Sequence, residues 1–161
     1  LPAGSYKTCK RKWFLLAASK KCLRSKDARA MAAMDVWVDN RDRNYGNVVR
    51  VSSGNYVSID HETVLHDLLW IPVGKHFARR SLVDMAVQHL SQDDRDQFLV
   101  DMATTAELHQ NGFNVSKKHV VEIIEKIVHP SKIQQFVPLV CDFLESRAKP
   151  GWLANEIGVI V

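Results

Sequence analysis

The sequence predicts one mainly helical domain, residues 1–161, carrying a single small β-hairpin. Three observations predict it. Apolar residues recur every three or four positions through most of the chain, the period of a helix with one buried face. Only one turn signal, Ser52-Ser53-Gly54-Asn55, is flanked on both sides by residues of high strand propensity. And 161 residues at 46% hydrophobic are enough for one well-buried core but not two.

The elements follow in order. Residues 1–39 form the N-terminal helices. Lys7 to Lys21 reads as a helix with an apolar centre at Trp13, Phe14, Leu15 and Leu16, and basic residues at its C-terminal end suit the helix dipole. Ser25 caps the next, which runs on strong helix formers to about Val38, with Met34 and Trp37 on one core-facing stripe. Residues 40–61 are a loop and the hairpin. Residues 62–149 form a helical body that begins with an irregular crossing from His61 to Pro72, including a short helical turn around Val64 to Trp70. Its helices are Phe77 to Leu90, a second from 91–94 to about Gln110 stopped by Asn111-Gly112, and a third capped by Ser116 and stopped by Pro130. The last begins at Ser131, with Phe136, Val140 and Leu144 inward. The tail, 150–161, is apolar enough that it should dock on the body.

Composition excludes several classes. No run approaches the roughly 18 apolar residues of a membrane span, and the first residues lack the apolar region of a signal peptide. Cys9, Cys22 and Cys141 are odd in number and widely spaced, which argues against a disulfide framework or zinc site and for a reducing, cytoplasmic setting. The opening residue is not Met, which suggests a processed chain or a domain of a longer product. Residues 7–26 hold eight bases and no acid, leaving fourteen bases against eighteen acids elsewhere. Such a block suits nucleic acid, an acidic partner or nucleotide phosphates, and equally a solvated helix face.

The stretch from Met34 to His61, MDVWVDNRDRNYGNVVRVSSGNYVSIDH, carries more polar chemistry than solubility requires. With Ser53 and Gly54 at the turn, simple pairing sets 52 opposite 55, 51 opposite 56 and 47 opposite 60. Asn47 then faces Asp60 at roughly 4.5–5.5 Å between Cα atoms, close enough for an amide oxygen and a carboxylate to hold one magnesium ion. Asp42, five residues before Asn47, would stand beside that metal and accept a proton from an attacking hydroxyl. An Asp, an Asn five residues on and a second Asp after the next strand is the set that phosphoryl transfer uses.

These residues also carry a family resemblance. DVWVDNRDRNYGNV followed by IDH resembles the catalytic loop and metal-binding motif of the HipA-like kinases, a group related to the type II phosphatidylinositol kinases. The resemblance implies the C-terminal lobe of a protein-kinase-like fold, with ATP and Mg2+ as cofactors. It implies that Asp42 is the catalytic base, that Asn47 and Asp60 are the metal ligands and that Arg43 and Asn40 brace the loop. Arg41 or Arg43 is then placed to meet phosphate or substrate. The family often has His where this chain has Asn44.

A working kinase closes a second lobe over the nucleotide, with a glycine-rich loop and a strand lysine. The 41 residues before Asp42 contain one glycine, no glutamate and no convincing strand, so that lobe is expected upstream or in another chain. Two functions follow. The first is Mg-ATP-dependent phosphoryl transfer to a protein Ser/Thr hydroxyl. The second is a kinase-derived binding or inhibitor protein that acts through its basic helix or apolar tail.

Overall fold

Helix α2, Lys26–Trp37, is the element around which the others pack. The computed structural model describes residues 3–160, and side chains from 13 onward, so Cys9 and the basic side chains of residues 7–12 lie outside the described residues. Ser25 caps α2 as expected, its hydroxyl oxygen accepting from the Ala28 N–H at 3.2 Å. Ala28, Ala32 and Ala33 are small enough to let neighbouring helices approach closely, and all three are buried. Around α2 stand α1 (Ala3–Leu23), α3 (Leu82–His89), α4 (Gln92–Ala106), α5 (His109–Ile127), α6 (Ile133–Ala148) and the short α7 (Trp152–Ile157).

Two apolar clusters share α2. One joins it to α3, α4 and α7 through Leu23, Leu82, Phe98, Met102 and Leu153. The other gathers Trp37, Phe113, Ile124, Val140 and Leu144 between α5 and α6, where the Trp37 indole also donates to the Leu144 carbonyl at 2.8 Å. The apolar tail docks through its first half, where Leu153 and Ala154 are buried, while Ile160 is exposed.

The architecture is therefore mainly helical with one two-stranded antiparallel sheet, β1 (Val48–Ser52) and β2 (Asn55–Ser58). The turn lies where the sequence places it, but the register does not. Ser52 pairs with Asn55, then Arg50 with Tyr56, Val49 with Val57 and Val48 with Ser58, so Val51 is an extra, bulged residue. Asn47 therefore exchanges backbone with Ile59, whose N–H donates to the Asn47 carbonyl at 3.0 Å, and does not face Asp60. The hairpin is pinned to α2 by the Tyr56 N–H, which donates to Asp27 at 2.8 Å.

Four further expectations change. The break between α4 and α5 falls at Glu107–Leu108, and Gly112 continues inside α5 because burying the Phe113 ring requires that turn of helix. Ser116 is thus no cap; its hydroxyl donates back to the Gly112 carbonyl at 2.8 Å. Met34 is not core but exposed, and on α1 Trp13 is 72% and Phe14 68% exposed. Residues 77–80 are not helical, and α3 begins only at Leu82.

Candidate active site

The loop that follows α2 is fixed from beneath by one buried ion pair. Arg43 is fully buried, and its Nε and Nη2 donate to the two carboxylate oxygens of Asp35 on the last turns of α2, at 2.7 and 2.8 Å. Its Nη1 donates to the carbonyls of Asn47 at 3.0 Å and Ile59 at 2.8 Å. One guanidinium thus clamps both ends of the hairpin to α2. Arg43 acts as the brace the resemblance implies, and its burial rules out the expected contact with phosphate or substrate. It is a positioning residue rather than a catalytic one.

Asn40 braces the same loop. Its Nδ2 donates to Asp35 at 2.8 Å, and its Oδ1 accepts from the Asp42 N–H and from the Thr63 hydroxyl at 2.8 Å. Thr63 is buried and committed to this bond.

Above this base the three candidate residues project differently. The Asn47 amide donates from Nδ2 to the Asp42 carbonyl at 2.9 Å, which turns its Oδ1 the other way. That oxygen has no hydrogen-bond partner among the described residues. Asp60 is exposed, its carboxylate also has none, and its backbone sits at φ 60°, a left-handed conformation that strains a non-glycine residue. Asp42 is partly exposed. Its Oδ1 accepts from Asn44 at 3.1 Å and pairs with Arg80 at 2.7 Å, leaving Oδ2 open. The Asn47 Oδ1 and the Asp60 carboxylate offer hard oxygens of the kind magnesium takes, on positions that the bulge sets one residue out of opposition.

The sequence gives no hint of Arg80. It is delivered by a short bridge in which the Arg80 N–H donates to the Arg41 carbonyl and the Arg43 N–H donates to the Arg80 carbonyl, both at 2.9 Å. Only tertiary structure joins positions so far apart.

A different cluster has metal-like composition but not metal-like chemistry. Asp39, His66 and Asp67 approach one another, yet all their ligand atoms but Asp67 Oδ2 are engaged. Arg41 donates to Asp39 Oδ1 at 2.9 Å and to Asp67 Oδ1 at 2.8 Å, and the Asp67 N–H donates to Asp39 Oδ2 at 2.7 Å. The Phe77 N–H donates to His66 Nε2 at 3.2 Å, which makes Nδ1 the protonated nitrogen that donates to Asp67. Burial pushes the Asp67 carboxyl up, but the His66 hydrogen bond and the Arg41 charge outweigh it and hold it below the usual carboxylate range. Arg41 is therefore an internal strut in this state.

The two faces of the hairpin differ as well. Val48, Arg50 and Tyr56 line an apolar groove of about 490 Å³ against Phe14, Ala18 and Cys22 of α1. Burial, with Asp27 adding to it, pushes the Cys22 thiol up to about 11, so it is no nucleophile at neutral pH. On the opposite face Val49 and Val57 form an exposed cross-strand pair, with Ile59 also exposed beside Asp60. Among the described residues no helix is long and apolar enough to cross a membrane. Comparison with protein-family models, curated proteins and solved structures finds no match to this chain.

Proposed function

We propose that the chain is the catalytic lobe of a HipA-like kinase, which transfers a phosphoryl group from Mg-ATP to a protein Ser/Thr hydroxyl. The observation that carries this reading is the Arg43 clamp. It spends a buried ion pair to hold Asn47 and the residue before Asp60 on one guanidinium, while the Asn47 Oδ1 and the Asp60 carboxylate are left without partners. A loop built only for stability has no use for a strained, exposed Asp at position 60.

In this mechanism Asn47 Oδ1 and Asp60 would hold the metal. Magnesium, when bound there, would neutralise charge on the phosphate oxygens. Asp42 orients the acceptor hydroxyl and takes its proton on Oδ2, the oxygen that neither Asn44 nor Arg80 occupies. The exposed face of Val49, Val57 and Ile59 offers an apolar floor beside these groups. A second lobe, supplied upstream or in trans, would cover it and exclude water from the triphosphate.

Phosphate incorporation from labelled Mg-ATP into a Ser/Thr peptide mixture tests this. Asp42→Asn is expected to lower incorporation by about 10²-fold or more with an unchanged thermal midpoint. Equal incorporation by the variant, or none by the wild type once a nucleotide lobe is supplied, would remove the kinase assignment.

The second reading, a kinase-derived binding protein, is favoured by one observation. Trp13, Phe14 and Leu15 form an apolar stretch on α1 that nothing in the described residues covers. Retention of both Asp42→Asn and Asp60→Ala variants in a pull-down, with no nucleotide binding by the wild type, would select it.

A further inference from the structure

Residues 71–80, IPVGKHFARR, are exposed at every position and run directly into the bridge that flanks Asp42. The segment contains Lys75, Arg79 and Arg80 with His76, and no acid occurs between Asp67 and Asp84. The carboxylates next to it are already committed. Asp67 is held by Arg41 and His66, Asp42 by Arg80, and Asp84 accepts from the Ser81 hydroxyl at 2.6 Å. Lys75 and Arg79 have no carboxylate partner among the described residues.

The segment is also anchored, which separates it from a loose basic loop. Phe77 packs edge-on against Trp70 and His66, with ring centroids 5.3 and 5.8 Å away, and Lys75 lies over the Trp70 ring at 5.3 Å. The apolar residues seat the segment on the body while its bases remain in solvent. At its far end Arg80 reaches the open carboxylate of Asp42 and is still 57% exposed on its side chain. An extended polypeptide lying along 75–80 would therefore have one of its residues beside Asp42 and its neighbours over the bases.

We propose that Lys75, Arg79 and Arg80 form a docking rail for an acidic peptide, fixing a phosphoacceptor whose hydroxyl is flanked by Asp or Glu. The rail deepens the kinase assignment and rests on it for the acceptor's fate, but not for binding. Charge complementarity identifies the partner, since a cationic rail in which Arg80 alone has a local counter-ion, Asp42, gains most from an acidic chain and rejects a basic one.

Fluorescence anisotropy of two labelled Ser peptides, one flanked by Glu and one by Gln, tests the rail on the whole chain. The Glu peptide is expected to bind at least about tenfold more tightly at low salt. The advantage should shrink near 0.15 M salt, where the screening length is about 8 Å. Arg79→Gln with Arg80→Gln should abolish the advantage, while Lys20→Gln with Lys21→Gln on α1 should leave it intact. Equal binding of the two peptides, loss through the α1 pair instead, or stronger competition by a single-stranded oligonucleotide of equal charge would overturn the rail. Phosphate incorporation separates the two claims. Glu-selective binding without incorporation leaves the rail standing and removes the kinase assignment, whereas incorporation without Glu preference does the reverse.

Discussion

The inner and outer sides of the loop from Asp39 to Asn47 are built on opposite plans. Inside, Asp35, Asn40, Arg43 and Thr63 are buried and joined by close hydrogen bonds. Outside, Asp60 and the Asn47 Oδ1 have no partner, Asp42 has one open oxygen, and Lys75 and Arg79 are unpaired, all among the described residues. The inner network satisfies nearly every polar atom because an unpaired one would be costly away from water. The outer groups are left available, and one is held in strain. The contrast separates the groups that hold the loop in place from those left open to solvent.

The largest effect should come from breaking the inner side. Arg43→Ala leaves Asp35 as an unpaired buried carboxylate, and urea unfolding should show a loss of about 3–5 kcal/mol. A loss under about 1 kcal/mol would mean that the hairpin has another anchor. Thr63→Val keeps the shape but removes one donor to Asn40, so the same measurement should fall by about 1 kcal/mol.

The outer side should respond in the opposite direction. Asp60→Gly relieves the left-handed strain at φ 60° and should stabilise the chain by about 0.5 kcal/mol, part of the relief being offset by the freer unfolded chain. Destabilisation would place Asp60 in the inner network instead. The smallest effect belongs to Asp67 on the rim. Its carboxyl is depressed in the folded state, so its contribution is present above the unfolded value of about 3.9 and is lost as pH falls through the folded one. Asp67→Asn should therefore lower stability slightly at neutral pH and flatten its dependence on pH below about 4, the two proteins converging in acid.

Much of the outer side was legible in the sequence, and little of the inner side was. Asp42, Asn47 and Asp60 lie close together in the chain, so spacing and turn chemistry reveal them, as they reveal the Ser25 cap and the turn at Ser53-Gly54. The bulge at Val51 was not legible, because nothing in an alternating apolar run marks which residue is left unpaired, and one such residue moved Asn47 from Asp60 to Ile59. Asp35 reads as an ordinary polar position on a helix, and only the fold turns it toward Arg43. Arg80 meets Asp42 from the far end of an irregular crossing that has no period to read. The Asn111-Gly112 stop signal was real local chemistry overruled by packing, since Phe113 reaches the Trp37 cluster only if the helix continues.

The account stands on the partnerless oxygens of Asn47 and Asp60 being a metal–phosphate site held by the Arg43 clamp. Calorimetric titration of the chain with ATP, with and without magnesium, alongside Asp60→Ala, tests that directly. The account predicts magnesium-dependent binding by the wild type that disappears in Asp60→Ala while the variant stays folded by circular dichroism. Binding of equal strength in the variant, or no binding by the wild type, would contradict it.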